Sequence, residues 1–146
     1  MKEKPTAVRF VSVYRISTRE KILYGLLKER PAYMNISHNH LPSFAGHCRF
    51  VRSKPYKEWY FIKKEGNLVG SIYLSLLNEI GIFLFKEFCG SGLEKEALQI
   101  FIAKRHRSRL LANVSPKNKA YTRLFQGLGF KHIQNSYCLK PEQRLR

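Results

Sequence analysis

The chain has 146 residues, a length that suits one domain with its own hydrophobic core. Its content of 44% hydrophobic and 25% charged residues is that of a globular protein and argues against disorder. Lysine and arginine number 27 against 10 acidic residues, and this net charge of +17 favours anionic partners without identifying one.

Hydropathy and cysteine spacing exclude several classes of protein. No apolar run reaches the roughly 18 residues of a membrane span, and the N-terminus lacks the apolar core of a signal peptide, so we expect a cytoplasmic protein without membrane insertion. The 3 cysteines show no paired spacing, which favours reduced thiols and predicts neither disulfides nor a zinc site. His38 and His40 lack nearby ligands that would complete a metal site.

The first third of the chain predicts a strand, a helix and a weakly patterned segment. Residues 9–15 alternate as a strand does, and Ser17 or Thr18 can cap a helix that reaches residue 29 before Pro31. The predicted buried stripe of this helix is Leu23, Leu26 and Leu27. Residues 31–55 are rich in Asn, His, Pro and Ser, with one short helix possible after His40, and we expect this segment to face the substrate.

The middle of the chain predicts an antiparallel meander. Residues 59–63 and 68–75 are aromatic and β-branched runs joined by a four-residue turn, which is a hairpin signal, and residues 78–85 form a third strand.

The last third of the chain alternates helices with short strands. We predict a helix over 93–106, a strand over 110–114, and a second helix over 118–128 ended by Gly129. The expected buried face of the second helix contains Ala120, Leu124 and Leu128. Residues 130–133 and 136–139 are predicted to close the sheet as a strand pair. The pattern therefore predicts one α/β domain, with helices on a sheet of mixed strand direction.

A glycine turn before the third predicted helix is a candidate phosphate site. Gly90 and Gly92 follow a strand directly, so the first backbone N–H groups of the helix are left without partners and point outward. Glycine at both positions would let a phosphate approach these groups, and Ser91 adds a hydroxyl. A tight turn with no ligand is the alternative explanation.

Two motifs together resemble the GNAT superfamily of acetyl-CoA-dependent N-acetyltransferases. The first is the glycine turn, preceded by Glu87, and the second is the helix that runs from Asn118 to Gly129 and Phe130 after a short strand. The likeness spans about residues 59–139. It implies a GNAT-like three-layer α/β/α fold with a mixed, mostly antiparallel central sheet. It also implies an enzyme that moves an acetyl group from acetyl-CoA to a primary amine by direct attack.

The resemblance also implies where acetyl-CoA would lie. Backbone amides of the glycine turn would hold its pyrophosphate, the strand before the turn would bind the pantetheine arm, and the thioester would enter the gap beside the next strand. Asn118 is either a cofactor contact or only the cap of its helix. The implied cofactor-binding set is Phe83, Leu84, Phe85, Cys89, Gly90, Ser91, Gly92, Leu93, Asn113, Asn118 and Phe125.

Two residues depart from the family pattern. Glu87 stands where the family usually has Arg or Gln, which puts a carboxylate near the expected phosphates. Phe125 stands where many relatives carry a tyrosine that protonates the departing thiolate. Tyr121, one helical turn earlier, is the candidate substitute, with a role in packing as the alternative.

The acceptor amine needs a base, and Glu79 is the leading candidate. It is the only acidic residue between positions 68 and 85, early on the strand that leads to the turn, where a number of relatives carry a base-like glutamate. An ordinary strand-end glutamate is the alternative. Asn35, His38 and His40 are further candidates for contacts with the acceptor.

The acceptor itself is expected to be a small, anionic amine. The chain weakly resembles the GNAT branch that acetylates nucleotide-linked amino sugars, in which Arg49 would contact the diphosphate and Trp59 would stack on the nucleotide or sugar. A protein N-terminus or lysine is an alternative acceptor. A non-catalytic RNA- or ribosome-binding module on the same fold is the alternative from another class, although no specific nucleic-acid motif is visible. A homodimer is one option for the oligomeric state.

Overall fold

The computed structural model describes residues 6–31 and 40–143. Five strands and four α-helices lie in these ranges, together with short 3-10 turns at Val13–Arg15, Lys86–Phe88 and Pro141–Gln143. The elements follow in the order β1 (Arg9–Ser12), α1 (Arg19–Glu29), α2 (Phe44–Arg52), β2 (Glu58–Lys64), β3 (Asn67–Leu74), β4 (Glu79–Leu84), α3 (Leu93–Ala103), β5 (Leu111–Ala112) and α4 (Lys119–Gly127).

The strands form one sheet in the order β1-β2-β3-β4-β5. Neighbouring strands are antiparallel from β1 to β4, whereas β4 and β5 run parallel. The predicted hairpin and third strand are confirmed, and so is the mixed, mostly antiparallel sheet. The β4–β5 pairing covers only Glu79 with Leu111 and Ile80 with Ala112, so these two strands separate immediately afterwards.

Helices cover both faces of the sheet. One face carries the core that includes Ile72, Ile82, Leu98 and Phe101, against which α3 and α4 pack. The other face carries a smaller core with Phe61, Trp59, Leu23 and Val51, covered by α1 and α2. The predicted three-layer α/β/α arrangement is therefore confirmed. Successive residues of β4 point to opposite faces, so Ile80 and Ile82 face α3 while Glu79, Gly81 and Phe83 face the α1 side.

Several predicted boundaries differ from the structure. The first strand ends at Ser12 rather than near residue 15, because a 3-10 turn follows it. Helix α3 ends at Ala103, three residues before the predicted end. Beyond it, the Arg105 side chain donates hydrogen bonds to the Phe101 carbonyl and the Glu58 carboxylate, which draws the basic residues after α3 into a turn.

The predicted buried face of α4 is wrong in part. Ala120 is exposed and Leu124 is half-buried, whereas Phe125 is the buried residue. The Asn118 side chain accepts a hydrogen bond from the Tyr121 N–H and so fixes where the helix starts. That start turns Phe125 and Tyr121 toward the sheet.

The predicted closing strand pair is also wrong for the described part of the C-terminal segment. Residues 131–140 have no strand pairing and are exposed, although Phe130 packs on Phe125 at 5.1 Å between ring centroids. Their large apolar side chains Ile133, Tyr137 and Leu139 are exposed, so neither run is buried against the sheet. Among the described residues, no helix is long and apolar enough to cross a membrane.

Candidate functional site

A cavity of about 310 Å³ lies where β4 and β5 separate. The end of α1, the segment before β2, strands β3 and β4, and the start of α4 all contribute to its wall. The lining residues are Arg30, Tyr56, Tyr73, Glu79, Ile80, Gly81, Ile82, Phe83, Asn113, Val114, Ser115, Asn118, Tyr121 and Phe125. Six of the residues singled out from the sequence, three of them on or just before α4, therefore share this cavity: Glu79, Phe83, Asn113, Asn118, Tyr121 and Phe125.

The backbone of β4 faces the cavity at Ile82. The Ile82 carbonyl accepts a hydrogen bond from the Tyr121 hydroxyl at 3.3 Å, across the gap that β5 leaves open. Backbone groups of adjacent strand residues point to opposite edges, so those of Phe83 point toward β3. The Phe85 N–H donates to the Val69 carbonyl at 2.9 Å. The same alternation places the backbone of Leu84 on the edge of Ile82, so the prediction holds for Leu84, whereas the backbone groups of Phe83 and Phe85 point toward β3.

Helix α4 presents an amide, a phenol and a phenyl ring to the cavity. Asn118 is only 4% exposed, and its side-chain oxygen caps the helix by accepting from the Tyr121 N–H at 3.2 Å. The capping role is therefore observed, while a cofactor contact from this residue stays a prediction. Phe125 lies behind Tyr121, with ring centroids 6.3 Å apart and an edge-on angle of 84°. The phenol that α4 offers to the cavity is that of Tyr121.

Glu79 stands at the first position of β4, half-buried in the cavity wall. Its N–H donates to the Ser75 hydroxyl at 3.0 Å and its carbonyl accepts from the Ser75 N–H at 2.9 Å. These bonds hold the backbone of Glu79 in the β3–β4 turn. They do not involve its carboxylate. Strand β4 therefore places the Glu79 carboxylate in the cavity wall, at the point where β4 pairs with β5.

Two stacked tyrosines form the opposite wall. The rings of Tyr56 and Tyr73 lie 3.8 Å apart and nearly parallel, at 3°. Tyr73 pairs with Gly81 across β3 and β4, and a Cβ at residue 81 would overlap the Tyr73 ring. Burial raises the pKa of both phenols, so both remain protonated donors at neutral pH.

Arg30 follows the last residue of α1 and brings a positive charge to the same cavity. Its guanidinium carbon lies 4.0 Å from the centroid of the Phe83 ring, a cation–π geometry. Burial lowers the pKa of Arg30, and the neighbouring phenols of Tyr73, Tyr56 and Tyr121 act in the opposite direction. An arginine nevertheless stays charged in a protein, so the cavity holds a fixed cation.

The glycine turn lies at the start of α3, outside the cavity-lining set. Gly90 and Gly92 have φ values of 76° and 84°, a left-handed conformation that favours glycine, and Gly92 is the N-cap of α3. A Cβ at either glycine would meet no atom within 4 Å, so the space above the turn is open. The Ser91 hydroxyl donates to the Phe88 carbonyl, so it is engaged within the turn.

Two acidic groups and a thiol surround this turn. The Glu94 carboxylate accepts a hydrogen bond from the Gly90 N–H, and burial raises the pKa of Glu94. Burial together with the charges of Glu94 and Glu29 also raises the pKa of the Cys89 thiol. Cys89 is therefore protonated at neutral pH and is a weak nucleophile.

Other predicted contacts with the acceptor lie elsewhere. His40 and Arg49 are exposed and do not line the cavity. Trp59 is 8% exposed and packs edge-on against Phe50 and Tyr56 in the smaller core, so it offers no free ring face for stacking. Asn35 and His38 lie outside the described residues. Within the described ranges, no group of three or more potential metal ligands comes together.

Sequence reasoning missed Arg30, Tyr56, Tyr73 and Ile82 as lining residues. Arg30, Tyr56 and Tyr73 are far apart in sequence and meet only through the sheet register and the docking of α1. One local signal existed, since Gly81 interrupts an apolar strand where a neighbouring aromatic ring needs space. The separation of β4 from β5 was implied by the family resemblance and is confirmed by their short pairing.

Several solved structures with the same fold are described as acetyltransferases. An acetyltransferase from Thermus thermophilus is 19% identical over 91% of this chain and 92% of that chain, with a TM-score of 0.67. A ribosomal-protein-alanine N-acetyltransferase from Brucella melitensis is 16% identical over 88% and 86% of the two chains, at a TM-score of 0.66. A GNAT superfamily phosphinothricin acetyltransferase from Sinorhizobium meliloti, in complex with acetyl-CoA, is 19% identical over 88% and 76%, at 0.63.

No protein-family model and no curated protein sequence matches this chain. The structural similarities therefore show the fold, and the chain has the GNAT acetyltransferase fold. The resemblance found in the two sequence motifs is confirmed at that level.

Proposed function

We propose that this protein is an acetyl-CoA-dependent N-acetyltransferase that acts on a primary amine. The observation that carries the proposal is the cavity between β4 and β5, where Glu79 and Tyr121 line one space in a GNAT fold. Acetyl transfer needs a base that takes a proton from the amine and an acid that gives a proton to the departing thiolate. A carboxylate and a phenol in one cavity can fill these two roles. The open glycine turn at the start of α3 supports the same proposal.

The residues of the glycine turn fit the pyrophosphate of coenzyme A. The left-handed glycines leave the turn open to a phosphate, and the α3 dipole favours an anion there. We assign this role to the backbone of Cys89, Gly90, Ser91, Gly92 and Leu93. When bound, acetyl-CoA supplies an acetyl group activated as a thioester. Ile82 would offer its backbone to the pantetheine arm, once Tyr121 releases or shares the carbonyl.

Glu79 is assigned as the proton acceptor for the incoming amine. A primary amine is mostly protonated at neutral pH and attacks only after it loses a proton. A carboxylate in the cavity wall can accept that proton, directly or through a water molecule, and then release it to solvent at the cavity mouth. The phenols of Tyr56 and Tyr73 stay protonated because burial raises their pKa, so they can orient the acceptor but not take its proton.

Tyr121 is assigned as the proton donor in place of the phenol that is missing at Phe125. Its hydroxyl already reaches across the gap to β4, and α4 turns it there because Asn118 caps the helix. A phenol at this position can give its proton to a departing thiolate and recover it from solvent or from the amine's proton.

A small anionic amine is the acceptor class we propose. A nucleotide-linked amino sugar is one member of this class, although Trp59 does not support stacking on it. A protein N-terminus is the alternative acceptor outside this class, because a structural neighbour with 16% identity is a ribosomal-protein-alanine N-acetyltransferase. We further propose one cytoplasmic domain, a setting that suits the free thiols of Cys48, Cys89 and Cys138.

The test is release of free thiol from acetyl-CoA in the presence of acceptor panels. We expect acceptor-dependent thiol release with at least one class among amino sugars, nucleotide-linked amino sugars, amino acids and peptides. Acetyl-CoA binding without any acceptor-dependent release over a broad panel would contradict catalysis. Binding of structured RNA that weakens steeply with salt, in the absence of acetyl-CoA binding, would instead support the non-catalytic alternative.

A further inference from the structure

Arg30 and Glu79 are the two charged side chains among the described residues that line the cavity. One is a cation and the other an anion, and the remaining lining groups are phenols, amides, a hydroxyl and apolar side chains. A cavity for a simple alkyl amine would need the carboxylate alone. The cavity therefore presents both a cation and an anion to a ligand.

The local structure fixes Arg30 in the cavity wall. Its backbone ends α1, where its N–H donates to the Leu27 carbonyl at 3.3 Å. The guanidinium stacks at 4.0 Å over Phe83, a β4 residue that faces α1. Stacking engages the face of a guanidinium and leaves its donors directed in the plane, where they match a carboxylate or a phosphate. The ring of Phe83 therefore orients Arg30 without using the groups that recognise an oxyanion.

Tyr73 lies close to both charges. Its phenol interacts electrostatically with Arg30 and with Glu79, and its ring is held between Tyr56 and the bare backbone of Gly81. Arg30 and Glu79 thus both lie beside the stacked rings of Tyr56 and Tyr73. An acceptor seated against these rings meets a positive group and a negative group at the same time.

We infer that Arg30 is a specificity-determining residue that binds an anionic group of the acceptor, so that the acceptor is a small primary amine carrying its own carboxylate or phosphate. The amine lies toward Glu79 and the anionic group toward Arg30. The volume of about 310 Å³ stands at the lower end of ligand sites, which suits an amino acid or an aminoalkyl phosphate. This inference rests on the proposed function, because it concerns the acceptor of the same reaction.

Matched pairs of amines test the inference on the intact protein. Each pair consists of an amino acid and the amine that remains without its carboxylate, such as L-serine with ethanolamine and L-phenylalanine with phenethylamine. Phosphoethanolamine with ethanolamine tests the phosphate arm. The value of kcat/KM is measured for each amine by thiol release at saturating acetyl-CoA. We expect the anionic member of at least one pair to be preferred by about tenfold or more, the scale of one charge-assisted hydrogen bond.

The variants assign this preference to Arg30. Arg30→Gln should lose it by about 10- to 100-fold in kcat/KM for the anionic amine, while the uncharged amine and the KM for acetyl-CoA change little. Arg30→Lys should recover part of the preference, because it restores the charge without the planar donors. Arg107→Gln is the control, since Arg107 is exposed in the turn after α3, at the opposite end of that helix from the glycine turn. It should keep the full preference.

Two outcomes would overturn the inference. One is a wild-type protein that acetylates uncharged amines as well as their anionic partners, a result that needs no variant to fold. The other is a folded Arg30→Gln protein that keeps the preference. In both cases turnover with some amine leaves the proposed function standing. No thiol release with any amine would instead remove the proposed function itself.

Discussion

The carboxylate of Glu79 faces the α1 side of the sheet, next to Tyr73, while its strand neighbour Ile80 enters the core beneath α3. If it accepts the proton of the incoming amine, Glu79→Gln should lower kcat by about 10²- to 10⁴-fold and leave the Kd for acetyl-CoA unchanged. The measurements are steady-state thiol release across pH and calorimetric titration of the variant.

Glu65→Gln is the matched control for this prediction, because Glu65 is exposed in the β2–β3 turn. It removes an equal charge from the protein without touching the cavity. Wild-type kcat in Glu79→Gln at every pH would show that Glu79 is an ordinary strand-end residue.

The phenol of Tyr121 is expected to act as proton donor. Tyr121→Phe removes the hydrogen bond to the Ile82 carbonyl, which should cost only about 1 kcal/mol of folding free energy. We expect kcat to fall by about tenfold or more in a variant that remains folded. Adding Phe125→Tyr to that variant should restore part of kcat, since it returns a phenol to the same face of α4. Unchanged kcat in Tyr121→Phe, measured by thiol release, would assign Tyr121 to packing.

Glu94 is expected to oppose acetyl-CoA at the glycine turn. Its carboxylate occupies the Gly90 N–H, and burial raises its pKa above the ordinary glutamate value. The phosphates of acetyl-CoA at the turn would favour the neutral form of Glu94. The affinity for acetyl-CoA should therefore increase as the pH falls through the raised pKa of Glu94. Glu94→Gln should therefore bind acetyl-CoA more tightly at neutral pH, with a flatter dependence on pH, in calorimetric titrations. Weaker binding by Glu94→Gln would mean that the carboxylate supports the turn instead.

The strand-to-helix turn before α3 depends on the left-handed conformation of Gly92, with φ of 84°. Gly92→Ala should cost about 1–2 kcal/mol of stability and should raise the KM for acetyl-CoA, because the strained backbone no longer presents its N–H groups correctly. Gly66→Ala is the control. Its φ of 79° imposes the same strain in the β2–β3 turn, where a Cβ also meets no atom within 4 Å.

Equal effects of these two glycine substitutions on KM would show that the turn has no special role toward acetyl-CoA. A larger increase for Gly92→Ala, at matched loss of stability in urea unfolding, would assign the phosphate site to this turn.

Elements with strong local patterns could be predicted from the sequence, and elements that depend on distant contacts could not. The predicted helix α3 is confirmed, and it buries Ala97, Leu98 and Phe101, because a 3.6-residue apolar stripe is a local property of the sequence. The predicted face of α4 is wrong at Ala120, which is exposed, whereas Tyr121, Leu124, Phe125 and Leu128 follow helical spacing and pack on the core. The closing strand pair is wrong, since strand propensity is local and does not show whether a segment finds a partner in the sheet.

The residues of the candidate site also fall into two groups, those that a sequence motif locates and those that only the folded chain brings together. Glu79, Asn118 and Tyr121 could be predicted because motifs of the resembling family fix their place along the chain. Arg30 and Tyr73 could not, because Arg30 reaches the cavity only when α1 docks on β4, and Tyr73 only through its register with Gly81. The backbone at Ile82 required the strand's hydrogen-bond alternation, which a sequence does not show.

The net charge of +17 acts over the entire surface and should speed the capture of any anion, acetyl-CoA included. Charge alone does not discriminate between acetyl-CoA and nucleic acid. The cavity of about 310 Å³ has the volume of a small-molecule site, which is the observation that favours a small ligand there.

Calorimetric titration of the protein with acetyl-CoA tests the central claim most directly, with desulfo-coenzyme A and structured RNA as comparisons. We expect saturable binding of acetyl-CoA with a Kd on the order of micromolar and a stoichiometry near one, and we expect Gly92→Ala to weaken or abolish this binding. Absence of acetyl-CoA binding, together with RNA binding that weakens steeply with salt, would contradict it and would mean that the acetyltransferase fold serves another purpose in this chain.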